Sequence, residues 1–361
     1  MGPGLPLRGN RDDSRGGGGV SVDLAIRTRD ASALPSRRDE DWRWTDLRGL
    51  IRVVPLASEA FAGDLGDGPF SALAATSRVL VNGGEAEITV GASEKLALAL
   101  RIISRGAGSH ATRVSITLGA GARLRLLESY ESDGACLAST EIQISLAEGA
   151  AAERVVVAED HADAVSVSQA EIALAAGAEY SQTILTSGAR RQRLETRVTH
   201  PGGGATLRLD GVYLLADKRH ADLTTVVTHA GTDGTTAQLT KGVVRDQARG
   251  VFQGRIVVET GADRTDARMG HHALILSDRA EVDAKPELLI HADDVSCAHG
   301  NTVGALDDDA LFYARQRGMD EDTAKALLTE AFVGEVVDRI AFDAAREIAR
   351  GWVAQRLGGA T

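Results

Sequence analysis

Residues 291–304 read HADDVSCAHGNTVG and place two histidines, two aspartates and one of the chain's two cysteines within residues 291–299. If this stretch is extended, His291, Asp293, Val295, Cys297 and His299 share one face, and Asp294 and Ser296 point the other way. A thiolate and an imidazole two residues apart on a strand can be aimed at one metal ion or one cluster. Two ligands do not close a site, however; Asp293 could be a third, and the reach of its short side chain decides. Three readings stay open. The chain holds a closed metal site of its own; it contributes part of a site completed at a subunit interface; or Cys297 packs as a small apolar group while His299 hydrogen-bonds at a turn before Gly300.

His271 and His272 are adjacent, so on a strand they face opposite sides, and two surface or turn histidines are expected rather than a joint metal site. Asp278, Lys285 and Asp293 could serve as acid–base groups of a sugar-cleaving β-helix enzyme, although charges near strand ends are usually solvated. No GxxxxGK[ST], no GxGxxG before a helix and no GxSxG occurs, which removes the P-loop, dinucleotide and nucleophile-elbow chemistries. A formal net charge of −11 disfavours nucleic acid or an anionic membrane as partner. Cys136 and Cys297 are the only cysteines in 361 residues, too few for a disulfide framework, which suits a reducing, cytoplasmic setting. No apolar run reaches about 18 residues, so no membrane span is expected.

What could position these groups is legible in a repeat. Gly-Ala pairs fall at 91, 119, 149, 177, 204 and 261, in steps of 28, 30, 28, 27 and 57 residues. The last step is two periods, and the skipped turn is expected near 231–234, in AGTDGTT. Counting Gly121-Ala122 instead of Gly119-Ala120 makes the second step 28. Between the turns, RVSITL, EIQISL and ATLRLDGVYLL alternate apolar residues with period two, as a strand with one buried face does. A strand-built period of about 28 residues points to a mainly β fold, a parallel β-helix whose coils bury their inner faces by stacking. A large antiparallel sandwich also uses alternating strands and glycine turns, but the near-constant spacing favours the solenoid.

Helical flanks are expected to cover the two open ends. Four parts follow: a flexible leader over 1–34, an N-terminal helical segment over 35–80, a β-helix core over 81–305 and a C-terminal helical domain over 306–361. The leader contains MGPGLPLRGNRDDSRGGGG, which lacks the apolar stretch of a secretory signal. Trp42, Arg43 and Trp44 are expected to pack over a solenoid end. In the last part, Asp307 to Asp309 and Asp320 are caps and Gly318 is a stop. Ala324, Leu327, Leu328, Ala331, Phe332, Val336 and Ile340 lie at helical spacing.

The string KGVVRDQARGVFQG, the TDA that precedes LILSD, KPEL with Lys285 and Pro286, ADDV with Asp293 and Asp294, C-A-HG ending at Gly300, and LFYARQRG occur in fixed order over about 241–318. This region resembles the SufB/SufD family of iron–sulfur cluster assembly proteins. The C-A-HG pattern and the N-terminal DEDWRWTDL, with Trp42, Arg43 and Trp44, resemble the SufD branch. The resemblance implies a right-handed parallel β-helix between helical ends and a scaffold subunit without catalytic turnover. It implies SufB as a partner through the β-helix and the ABC-type ATPase SufC as a partner through the C-terminal helices. It places the family's interface histidine on His299 and a family cysteine of less certain importance on Cys297. A transient iron–sulfur cluster would be shared with SufB, with none stably held by the isolated chain. The SufC-docking candidates are Phe312, Tyr313, Arg317, Gly318, Leu328 and Phe332. Exposed solenoid strands also leave room for a homodimer when the chain is alone.

Overall fold

The computed structural model describes residues 21–357. The chain divides into two compact units, residues 1–54 and 55–361. Of the expected leader, residues 1–20 lie outside the described residues, but the remainder is not a flexible run. Helix α1 (Val22–Thr28) is capped by Ser21, whose Oγ accepts from the Leu24 N–H at 3.3 Å, and it buries Val22 and Ala25. The helix expected after Pro35 is reduced to a single 3-10 turn, Glu40–Trp42. The Asp39 carboxylate accepts from the Ser36 N–H at 2.8 Å and closes a turn on the preceding residues. Downstream, Pro55 and the glycines at 63, 66 and 68 keep the chain irregular until the first strand.

The second unit is a parallel β-solenoid of about eight turns. One sheet contains β1 (Thr76–Val81), β3 (Lys95–Ser104), β5 (Arg123–Ser132), β7 (Ala151–Glu159), β9 (Glu179–Thr186), β11 (Thr206–Leu215), β13 (Thr235–Val244), β15 (Thr265–Ile275) and β17 (Val295–Gly304). The other contains β2 (Gly84–Val90), β4 (Gly108–Leu118), β6 (Cys136–Leu146), β8 (Val165–Leu174), β10 (Arg191–His200), β12 (His220–His229), β14 (Arg249–Val258) and β16 (Glu281–Ile290). Every strand pairs in parallel with the strand two further along, so each coil supplies one strand to each sheet. Register is carried from coil to coil: Lys95 lies beside Arg123, Arg123 beside Ala151, and Ala151 beside Glu179.

The Gly-Ala pairs are one corner of this winding. Gly121, Gly149, Gly177, Gly204 and Gly261 all have positive φ, and the alanine after each is fully buried. The glycine supplies a backbone turn that other residues resist, and the methyl group fills the corner beneath it. Gly91-Ala92 sits two residues earlier in this register, where Ser93 takes the positive φ instead. The skipped turn is found at Asp233-Gly234, where Asp233 has φ 63°. There the methyl is absent because a Cβ on Gly234 would lie 2.7 Å from His229 Nδ1. The stacked rings of His200 and His229, 4.5 Å apart, occupy that space.

The inner faces of both sheets form one apolar core that runs from Val90 and Leu98 to Met269 and Ala280. Helices α2 (Asp308–Gln316), α3 (Glu321–Val337) and α4 (Asp343–Leu357) follow the last strand. They were expected to close the end of the solenoid. Instead α3 and α4 lie along the outer face of the nine-stranded sheet, where Leu127, Val155, Leu185, Val212 and Val243 meet Val333, Val336, Ile340 and Trp352. The reason is that the middle strands are apolar on both faces, as in KLALALRIIS and ERVVVAE. A second layer must cover them. Polar clamps fix the layer: Lys241 Nζ meets Glu335 at 2.5 Å, and Glu153 Oε1 accepts from the Ala341 and Phe342 N–H groups at 2.7 and 3.2 Å. Asp210 faces Arg208 and Arg339 at 3.2 and 3.3 Å, and burial pushes its carboxyl up to about 6. The last coil, β16 with β17, is left with one neighbour per strand.

Candidate functional site at the open coil

Inward positions of β17 can be read from register. Ala267, Met269, His271 and Ala273 point into the core from β15, and beside them lie Cys297, His299, Asn301 and Val303. Cys297 and His299 therefore face the solenoid axis. With no coil beyond, that axis is open to solvent: His299 and Asn301 are exposed and Cys297 is half-buried. Burial against Ala267 and its neighbours pushes the Cys297 thiol above its ordinary value. The His299 side chain makes no hydrogen bond or ion pair with any described residue. The result is a thiol and an imidazole side by side on an unpaired edge.

The rest of the opening motif does not join them. β17 begins at Val295, and residues 291–294 form the corner between sheets, so His291 and Asp293 are not on the same strand face. The Asp294 carbonyl instead accepts from the Arg264 N–H and anchors that corner to the one below. Among the described residues, no three or more His, Cys, Asp or Glu side chains converge to hold a metal ion. Lys285 lies on β16 within 3.4 Å of Glu287. Pro286 stands in this last strand, the position where a sheet tolerates a missing N–H. Gly300 has nothing within 4 Å of where a Cβ would be.

His271 departs from expectation. It is fully buried rather than on a surface or in a turn, whereas His272 faces the other side of the sheet and meets the Thr302 hydroxyl at 2.7 Å. The His271 ring stacks on Phe252 with centroids 4.6 Å apart. Its Nε2 lies 2.9 Å from the Tyr213 hydroxyl and its Nδ1 lies 2.7 Å from Asn301 Oδ1. Burial pulls its pKa down to about 4. Sequence reasoning missed this chain of contacts. The available signal was a pair of glycines, Gly242 and Gly250, at strand positions where glycine is disfavoured unless something approaches closely.

The C-terminal helices carry a second surface. Phe312 and Tyr313 on α2 are 65% and 60% exposed, and Leu327 on α3 is 48% exposed. Arg317 covers the Tyr313 ring at 5.0 Å and donates to its hydroxyl at 2.8 Å, and Gly318 (φ 90°) ends the helix. Leu328 and Phe332 are half-buried. Phe332 faces the sheet, with Lys241 Nζ 4.5 Å from its ring centroid. Of α3's expected inner face, Leu327 and Ala331 are exposed, and Thr329, Val333 and Val337 are buried in their place. In the first unit, Arg43 stacks on Trp44 at 5.7 Å.

A sugar-cleaving site finds no support in the structure or in the comparisons with known proteins. A cavity of about 850 Å³ on the outer sheet face is lined by Lys95, Arg123, Glu153 and Glu179 among others, and not by Asp278, Lys285 or Asp293. Among the described residues no helix is long and apolar enough to cross a membrane.

Comparison with known proteins adds the following. Residues 101–332 match the family described as SUF system FeS cluster assembly, SufBD core domain. The chain is 34% identical over 181 residues to the iron–sulfur cluster assembly protein SufD of Escherichia coli, covering 50% of this chain and 42% of that protein. It is 35% identical over 153 residues to an iron–sulfur cluster assembly SufBD family protein of Synechocystis, covering 42% and 34%. To the SufD of Bacillus subtilis it is 30% identical over 172 residues, covering 44% and 39%. The matched stretch thus spans less than half the length of each of these relatives.

Proposed function

Because this chain belongs to the SufBD core family of the SUF iron–sulfur cluster assembly system, we propose that it is a SufD-like scaffold subunit. It pairs with a SufB-type subunit through the open coil and receives a SufC-type ATPase on its C-terminal helices. The observation that carries this reading is the last coil, whose inward-facing Cys297 and His299 stand uncovered on a strand with one neighbour. An unpaired parallel edge is a template for another chain, and a neighbour docked there would complete the ligand set. Iron–sulfur clusters prefer thiolates and accept imidazole, so mixed ligation across an interface leaves a soft edge from which the cluster can leave. Exposed Phe312, Tyr313 and Leu327, with Arg317 over the Tyr313 ring, have the apolar-plus-arginine character of a protein interface. Phe332 serves there by holding α3 to the sheet. ATP-driven closure of two docked ATPase subunits would strain the interface at the open coil. Two free cysteines fit a reducing cytoplasm.

The test is co-expression with SufB- and SufC-type subunits. His299→Ala is expected to leave the complex assembled, because the exposed ring makes no hydrogen bond or ion pair with the described residues, and to lower cluster formation on it. Cluster formation at the native level in that variant would remove the proposed role of His299.

A further inference from the structure

The hydrogen-bonded chain behind the open coil is built at a cost that a merely satisfied core would not need. Tyr213 belongs to β11, yet its hydroxyl reaches His271 on β15, past the intervening strand β13. Its path exists because Gly242 and Gly250 have no side chains. A Cβ on Gly242 would lie 1.8 Å from the Tyr213 Cζ, and one on Gly250 would lie 2.5 Å from its Cε2. Phe252 then holds the imidazole in plane, at 1° to its own ring. Oδ1 of Asn301 faces Nδ1, and this contact pairs with the tautomer whose proton is on Nδ1, in which Nε2 accepts from the Tyr213 hydroxyl. The carbonyl end of the Asn301 amide is thereby held. Its Nδ2 has no partner among the described residues, and Asn301 is exposed. Asn301 is two residues from His299 on the same strand face, roughly 7 Å along the strand.

We propose that Asn301 is a hydrogen-bond donor of the open-coil site, with Tyr213 and His271 as positioning residues that keep its NH2 group turned toward an anionic sulfur of the cluster that His299 helps to hold. This rests on the scaffold reading above. The sulfides of a cluster carry negative charge, and N–H donors to them raise its reduction potential and retain it. A free asparagine would flip and present its carbonyl half of the time. In the tautomer with its proton on Nδ1, His271 removes that alternative, because only Oδ1 can accept from it.

Two measurements test the proposal. In the isolated chain, 15N chemical shifts of His271 should report the Nδ1–H tautomer, and Tyr213→Phe should weaken that preference. A dominant Nε2–H tautomer in the native chain overturns the relay. In the assembled complex, reconstituted with ferrous iron and sulfide, Asn301→Asp keeps an acceptor for His271 but removes the donor. Asn301→Ala removes both. Both variants are expected to assemble normally, to shift the cluster's potential to more negative values and to lose it to a chelator about tenfold faster, the worth of about one charge-assisted hydrogen bond. Native potential and native lifetime in both variants, with His299→Ala still defective, would overturn this proposal alone. A native complex that binds no cluster would overturn the scaffold reading and this one with it.

Discussion

The middle and the last coils of the solenoid use the same pattern for opposite ends. In the middle, Arg154 points into the core from β7 and donates through Nε and Nη2 to the two Glu128 oxygens at 2.8 and 2.7 Å, with Nη1 to Gln182 at 2.7 Å. Both side chains are sealed, at 3% and 0% exposure. In the last coil, Cys297 and His299 occupy equivalent inward positions and are left open. A polar residue on the inner face is thus structural where a coil covers it and available where none does. The difference lies in the neighbour, not in the residue.

Three experiments press on that difference. The largest effect is expected from Arg154→Met. It strands the Glu128 carboxylate without its partner and should cost about 3–5 kcal/mol of stability in denaturant unfolding. The double variant with Glu128→Leu should recover most of that loss. If the single change were nearly neutral, the middle coil would not be as sealed as its distances say.

Glycines give a matched pair. Gly242→Ala drives a methyl group into Tyr213 and should cost about 1–3 kcal/mol. Gly300→Ala meets nothing within 4 Å and should stay within about 0.5 kcal/mol. Equal costs by thermal unfolding would erase the contrast between the two regions.

The third is acid. Burial lowers His110 and His271 to about 4, and burial with the neighbouring His200 lowers His229 to about 3. These rings fold neutral. Their stability contribution is therefore complete above the unfolded histidine value of about 6.5 and is lost as pH falls toward the folded values, because only the unfolded chain takes up the protons. Each ring should remove about 1.4 kcal/mol per pH unit in that window. Asp210 acts in the opposite sense. Its raised carboxyl takes up a proton in the folded state first, which offsets part of the loss between about 6 and 4. Urea midpoints from pH 7 to pH 4 check this. Replacing His229 with Gln should flatten the slope by one ring's share.

Much of the architecture was legible beforehand because a solenoid repeats its physics. The period-two alternation and the Gly-Ala corners recur in most coils, so each such repeat is an independent reading of the same geometry. Asp307 and Asp320 were likewise readable as caps, since capping is local: their carboxylates accept from Asp309 and Thr323 at 2.9 Å. The N-terminal segment was misread for a related reason. The acidic run from Asp39 to Asp41 after Pro35 looks like the first turn of a helix in sequence, and only the fold shows that Asp39 turns back to Ser36. Placing the C-terminal helices over the open end was also wrong. Their inner face was visible as a stripe, but a stripe does not say which apolar surface it will cover.

Sequence alone therefore determined the coil period, the corners, the alternating inner face and the pairing of Cys297 with His299 on one side of a strand, because each depends on residues close along the chain. Only the tertiary structure decided that this strand is the last one, that the helices leave it bare and that Tyr213 reaches across a coil to His271, which in turn meets Asn301. Those outcomes depend on which surfaces meet at separations of 58 and 30 residues along the chain. At that distance no local preference chooses the partner; the stacking of the coils does.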